Sequence, residues 1–304
     1  MSKAKSLNKK TEIFEKEGSF LSGLKEFFEV IWRNKMARIG FLILVFFLAL
    51  AIFGPMIIDA PKSNYVNRLQ APSSEHWLGT DYAGRDIFAL FVTGSRSVLL
   101  VAFYAAVFAI IFACGIGITA GLIGGKVDTI LMLITDIVLT MPTLPVTMVL
   151  SMVINVSNDV LFGLVLSLWS WAGLAKAIRS QVLVIRNKDF IEASRIMGIS
   201  TFNIIMKDVI PNITSFIAIN FISIMKGAIM TSVSLMILGL VPFKGSHWGM
   251  MIQMAMSQSS VLYGGFGPIV YFMTPIMGIV LFQLGCYFFA NGLDEAMNPR
   301  LRKQ

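Results

Sequence analysis

The chain has 304 residues, 56% of them hydrophobic and only 14% charged, with 24 Phe, 19 Met and a mean hydropathy of +0.76. Soluble domains are nearer half apolar and a quarter charged, so this balance excludes an ordinary soluble globule and points to membrane spans. The net charge of +8 does not signal nucleic-acid binding, because nine of the 25 Lys and Arg precede residue 39 and six lie between Lys176 and Lys207. They flank apolar runs and form no single basic stripe.

A polar, mixed-charge segment occupies residues 1–38, which sets the first apolar run too far in for a cleavable signal peptide and makes it a retained span. Six apolar segments follow, at roughly 39–58, 98–123, 130–154, 160–176, 213–241 and 269–290. Each is long and continuously apolar, as a membrane helix requires, and none has the short alternation of a barrel strand. The fold class is therefore all-α, a polytopic membrane protein with six transmembrane helices. With the amino terminus inside, the connections on that side carry 19 Lys and Arg against five on the other, Lys226 lying within the fifth span. The imbalance predicts that both termini are cytoplasmic.

Residues 59–97 form an extracytoplasmic connection containing LGTDYAGRD (78–86), where Thr80 or Asp81 is expected to cap a surface helix with Ile87, Leu90, Phe91 and Val98 on its apolar face. A five-helix core is expected over 98–290, and the tail 291–304 returns to the cytoplasm. GLIGGKVDT (121–129) is only superficially a phosphate loop: Ala120 and Val127 occupy the first glycine and the Ser/Thr positions, so it reads as a tight turn and the chain is not expected to bind ATP. Cys114 and Cys286 fall inside apolar segments without ligand spacing, as inert packing residues do.

The cytoplasmic loop over 181–212 is longer than a tether needs, and it carries two short amphipathic patterns that meet at Gly198. Phe190, Ile191, Ser194 and Met197 mark the first, while Phe202, Ile205 and Met206 mark the second. Pro211 sits near the first turn of the fifth span, where its missing donor does least harm. Apolar faces that one loop cannot bury fit either a docking partner or the lipid headgroups.

Glu192, Ala193, Ser194, Gly198 and Pro211 resemble, in register, the EAA loop of binding-protein-dependent ABC permeases. Ser194 replaces the pattern's second Ala, Ile210 its Leu, and Asp208 stands where peptide-type members carry His or an apolar residue. HWLGTDYAGRDIFALFVTGSRSVLLV (76–101), DIVLTMPTLP (136–145), SHWGMM (246–251) and NGLDEAMNPRLR (291–302) are similar to segments of the C-type permeases of oligopeptide, dipeptide and nickel importers. The resemblance implies the type I ABC importer permease fold in a prokaryotic cell membrane and a non-catalytic subunit whose loop couples to ATPases through Phe190, Ile191, Glu192, Ala193, Ser194, Met197 and Gly198. It further implies a second homologous permease subunit, two ATP-binding subunits holding ATP and Mg, and an extracytoplasmic substrate-binding protein. Oligopeptides are the expected cargo, with nickel or metallophore complexes and oligosaccharides as the family's alternatives.

Asp136, Thr140, Thr143, Thr147 and Ser151 form one polar stripe within the spans, and Asn220, Ser223, Gly227, Thr231 and Ser234 form another. Two uses fit such stripes, the lining of a passage and the gluing of helix pairs. Asp136 is expected to pair with Lys226 or to sit at a helix terminus. Pro142, Pro145 and Pro275 are expected to kink their helices or to free carbonyls within the membrane. His76 and His247 read as external-loop residues. A secondary transporter would need paired halves, which are not visible, though Asp136, an intramembrane acid of the kind that relays protons, keeps it as the lesser alternative; an intramembrane enzyme would need a converged nucleophile and base, also not visible.

Overall fold

The computed structural model describes residues 31–154, 156, 158–241, 246–258 and 265–297. The polar segment before residue 31, Lys244 and the stretch Arg300, Arg302 and Lys303 lie outside them. Among the described residues the helices are α1 (Lys35–Ile57), α2 (Ile87–Ile123), α3 (Gly125–Thr140), α4 (Thr143–Val153), α5 (Asp159–Arg186), α6 (Asp189–Ile196), α7 (Thr201–Ile204), α8 (Ile210–Ile237), α9 (Trp248–Ser257) and α10 (Phe266–Met297). A π turn over Ile205–Val209 joins α7 to α8. The β content of the described residues is one isolated bridge, Thr80 to Asp86.

Five helical runs are long and apolar enough to cross a membrane: Lys35–Ile57, Ile87–Ile123, Asp159–Arg186, Thr201–Ile237 and Phe266–Asp294. A sixth arises if α3 and α4, bent by 87° at their junction, form one broken span. Pro142 stands in that junction as the N-cap of α4, with extended backbone that a straight helix cannot contain.

The chain divides into two compact units. In one, residues 31–44 meet residues 284–297. Asn34 starts α1 there, its Oδ1 accepting from the N–H groups of Met36 and Ala37 at 2.8 and 3.1 Å. The helices approach through small residues, since a Cβ on Gly292 would stand 2.2 Å from the Cβ of Ala37.

The larger unit, Val45–Gln283, is organised around α2 and α5. Ala102, Ala105, Ala109 and Ala113 of α2 and Ala172 and Ala175 of α5 are fully buried. This small-residue seam brings the backbones together, and a Cβ on Gly117 would lie 2.5 Å from the Ala175 carbonyl oxygen. α9 anchors beside this core through Trp248, which stacks on Phe91 at 5.0 Å and donates Nε1–H to the Phe91 oxygen at 2.9 Å.

Three expectations are corrected by this architecture. The surface helix is not separate: Ile87, Leu90 and Val98 are buried in the first turns of the continuous 37-residue α2. Asp86, not Thr80 or Asp81, caps it, accepting from Ala89 N–H at 2.8 Å. Thr80 accepts from Gln70 N–H at 2.9 Å, and Asp81 accepts from Ala83 and Arg85 N–H at 2.9 and 2.8 Å. Both side chains thus shape the preceding loop. His247 is no surface residue either: it is buried, and its Nδ1 accepts from Gly249 N–H at 3.0 Å at the start of α9. Burial in that apolar setting takes its imidazole pKa from 6.5 to about 3.

Candidate coupling site and intramembrane polar residues

The segment from Asp189 to Val209 forms two short helical limbs around Gly198. α6 ends in a Schellman turn, with Gly198 N–H bonded to the Arg195 oxygen at 3.0 Å and Ile199 N–H to the Ser194 oxygen at 3.1 Å. Gly198 makes the reversal possible with φ +70°, a region that side chains with a Cβ rarely enter. Ser200 opens the second limb, its Oγ accepting from Asn203 N–H at 3.4 Å.

The sequence-derived residues divide here into two groups. Phe190, Glu192, Ala193, Met197 and Gly198 are exposed, whereas Ile191 and Ser194 are buried. Ile191 belongs to an apolar cluster with Ile204, Val209, Ile213, Val182 and Leu122. On the second limb Ile205 packs against that cluster while Phe202 and Met206 stay outside. Ile196, which the motif does not single out, is the most uncovered of the apolar set at 82%, beside Met197 at 68% and Phe202 at 69%. Uncovered side chains of this size, clustered on a turn that is itself packed from beneath, make a surface suited to a partner.

Two arginines seat this loop on the spans. Arg195 donates Nη2–H to the Leu122 oxygen, and Arg186 donates Nη1–H to the Gly121 oxygen, both at 3.4 Å. They occupy the last turn of α2, where carbonyls lack helical partners and cations are favoured. Spacing gave no sign of these contacts, because the partners lie 73 and 65 residues apart. A cleft beside α6 is lined by Arg186, Asn187, Glu192, Arg195 and Ile196.

Within the spans, Asp136 pairs with Lys176 of α5, not with Lys226. The α3–α4 bend splits the first polar stripe: Asp136, Thr140 and Thr143 are exposed, while Thr147 and Ser151 are buried beyond the turn. Thr147 and Ser151 donate their hydroxyls to the Thr143 and Thr147 oxygens at 2.6 and 2.7 Å, as helix-packing residues do. On α8, Ser223 and Gly227 are exposed and Asn220, Thr231 and Ser234 half-buried, so the second stripe remains one open face. Asp128 and Arg179 form a bidentate ion pair that ties α3 to α5. Among the described residues no three His, Cys, Asp or Glu side chains converge as a metal site requires.

Apolar helices of spanning length around a small-residue core, with an apolar turn displayed beside them, define a polytopic membrane protein. The chain belongs to the family described as binding-protein-dependent transport system inner membrane component, whose model matches residues 113–303. A second model, for the N-terminal TM domain of oligopeptide transport permease C, matches residues 22–72. The oligopeptide transport system permease protein OppC of Bacillus subtilis strain 168 is 31% identical over 277 residues, covering 89% of this chain and 87% of that protein. The dipeptide transport system permease protein DppC of Alkalihalophilus pseudofirmus is 29% identical over 296 residues, 95% and 93% of the two chains. The glutathione transport system permease protein GsiD of Pectobacterium atrosepticum is 28% identical over 284 residues, 91% of each. The chain is a multi-pass inner-membrane component, a non-catalytic permease subunit of an ABC importer, and its family works with a substrate-binding protein and ATPases.

Proposed function

We propose that this chain forms half of the translocation passage of an ATP-driven oligopeptide importer and takes its driving force through the turn around Gly198. The observation that carries this reading is the exposed apolar group Phe190, Ile196, Met197 and Phe202 on a loop fastened to two spans. An isolated connection gains nothing by holding such side chains in water, whereas a groove on an ATPase covers them. Glu192, Ala193 and Gly198 complete the docking turn, and Ile191 and Ser194 hold it from beneath. ATP and Mg are bound by two partner ATPases, and a second homologous permease supplies the other half of the passage.

The charge asymmetry, with 19 Lys and Arg on one set of connections and five on the other, favours both termini and the Gly198 turn on the cytoplasmic side. Peptide cargo follows from the names of the relatives, which are oligopeptide and dipeptide permeases. Asp136, Thr140 and Thr143 on one side, and Asn220, Ser223, Thr231 and Ser234 on α8, line the passage. Exposed polar groups at membrane depth are tolerated where protein or water covers them.

The test is reconstitution of the complete importer in proteoliposomes with labelled peptides. ATP-dependent uptake of an oligopeptide is expected; uptake of a nickel complex or an oligosaccharide in its place would overturn the cargo assignment. Replacing Met197 with Glu is expected to weaken ATPase copurification by on the order of tenfold, because it presents a charge to an apolar groove. Full copurification with that variant would overturn the docking assignment.

A further inference from the structure

Ser194 and Asp208, two of the three positions where the loop departs from the family pattern, touch each other. Ser194 Oγ donates to Asp208 Oδ2 at 3.3 Å across 14 residues of chain. Ser194 is buried, and Asp208 is half-buried within the five-residue π turn that leads into α8. That turn is closed by Ile210 N–H on the Ile205 oxygen and ends just before Pro211, which has no N–H to continue the ladder. Asn212 Nδ2–H donates to the backbone oxygen of Asp208 at 2.7 Å, so the residue is held by its main chain as well. Single π turns are uncommon and cluster at functional positions.

We propose that Ser194 and Asp208 form a latch that makes the foot of α8 follow α6. They are positioning residues that set how much of a stroke delivered to the turn reaches the spans. α6 is otherwise tied by Arg195 to the end of α2 and by the burial of Ile191. The arginine addresses a different helix, and apolar burial is non-directional, so neither fixes the register of α6 against α8. The Ser194–Asp208 contact is directional and joins these two segments, which is what gives it that role. The latch rests on the coupling function proposed above.

The experiment measures peptide uptake per ATP hydrolysed by the complete reconstituted importer, normalised to copurified ATPase. Ser194→Ala and Asp208→Ala are each expected to lower that ratio about three- to tenfold, the range of one ordinary intramolecular hydrogen bond, as suits a contact of 3.3 Å. The double variant is expected to fall no further, because both changes remove one interaction. Asp208→Asn, which keeps an acceptor oxygen, is expected to stay within about twofold of the unaltered importer. Ratios unchanged in the single variants, or losses that multiply in the double, would overturn the latch. Equal loss in Asp208→Asn and Asp208→Ala would also overturn it, which keeps the test decisive if the alanine variants assemble poorly. Absence of any ATPase association with the unaltered chain would instead refute the docking on which the latch rests, and the latch with it.

Discussion

At Gly198 nothing lies within 4 Å of where a Cβ would stand, while φ is +70°. A side chain there meets backbone strain and no steric wall, so Gly198→Ala is expected to destabilise the turn by about 1–2 kcal/mol. Reduced ATPase association without loss of membrane insertion would register that strain, and wild-type association would contradict it. His247 gives a separate residue-scale expectation. Its imidazole titrates near 6.5 when unfolded but near 3 when buried, so between those values the unfolded chain binds the extra proton. Stability is retained above pH 6.5 and falls as the pH drops toward 3. Thermal midpoints in detergent should decline from pH 6.5 to 5, above the range of ordinary carboxylates, and His247→Asn should flatten that decline while keeping an N-cap. The reversal at Gly198 was legible at this scale because a glycine between two short helical patterns marks a change of direction. The inward turn of Ile191 and Ser194 was not, since helical spacing groups apolar residues on a face without saying what covers it.

Elements show the same division. The apolar runs of α1, α2, α5 and α8 were readable because membrane helices advertise themselves in composition. Their ends were not: α5 extends ten residues past the expected Lys176, to Arg186, because charged residues continue a helix once it leaves the hydrocarbon. Pro142 announced a break in the third apolar run, but its 87° direction depends on packing. The choice for Asp136 between Lys226 and a helix terminus missed Lys176 because sequence gives no distance between helices. A carboxylate at membrane depth is tolerated when it is paired, so Asp136→Asn is expected to strand Lys176 and lower transport by about tenfold. Exchanging the charges, Asp136→Lys with Lys176→Asp, is expected to recover part of that loss. Uptake assays of the three variants check this, and equal activity in all of them would contradict the pairing as a functional element.

For the whole molecule, the count of spans and the family resemblance came from the same residues that fold it, so function was legible to the level of a permease. What composition left unread was long-range: the arginines on the end of α2 and the contact between Ser194 and Asp208 join residues far apart in the chain. A chain that depends on separate ATPases carries no energy source of its own. Reconstituted without them, it is expected to show no uptake driven by an ion or proton gradient. Accumulation under those conditions, measured with labelled peptide, would favour a secondary transporter.

α2 holds 37 residues without a break, about 55 Å of helix, well beyond the ~30 Å thickness of a hydrocarbon core. One end is tied to the loop through Asp86 and His76, whose Nδ1 lies 2.8 Å from the carboxylate, and the other receives Arg186 and Arg195. The helix is unbroken over that length, so both ends belong to one element. A tilt imposed at the Asp86 end is therefore expected to carry with it the carbonyls that receive Arg186 and Arg195 at the far end.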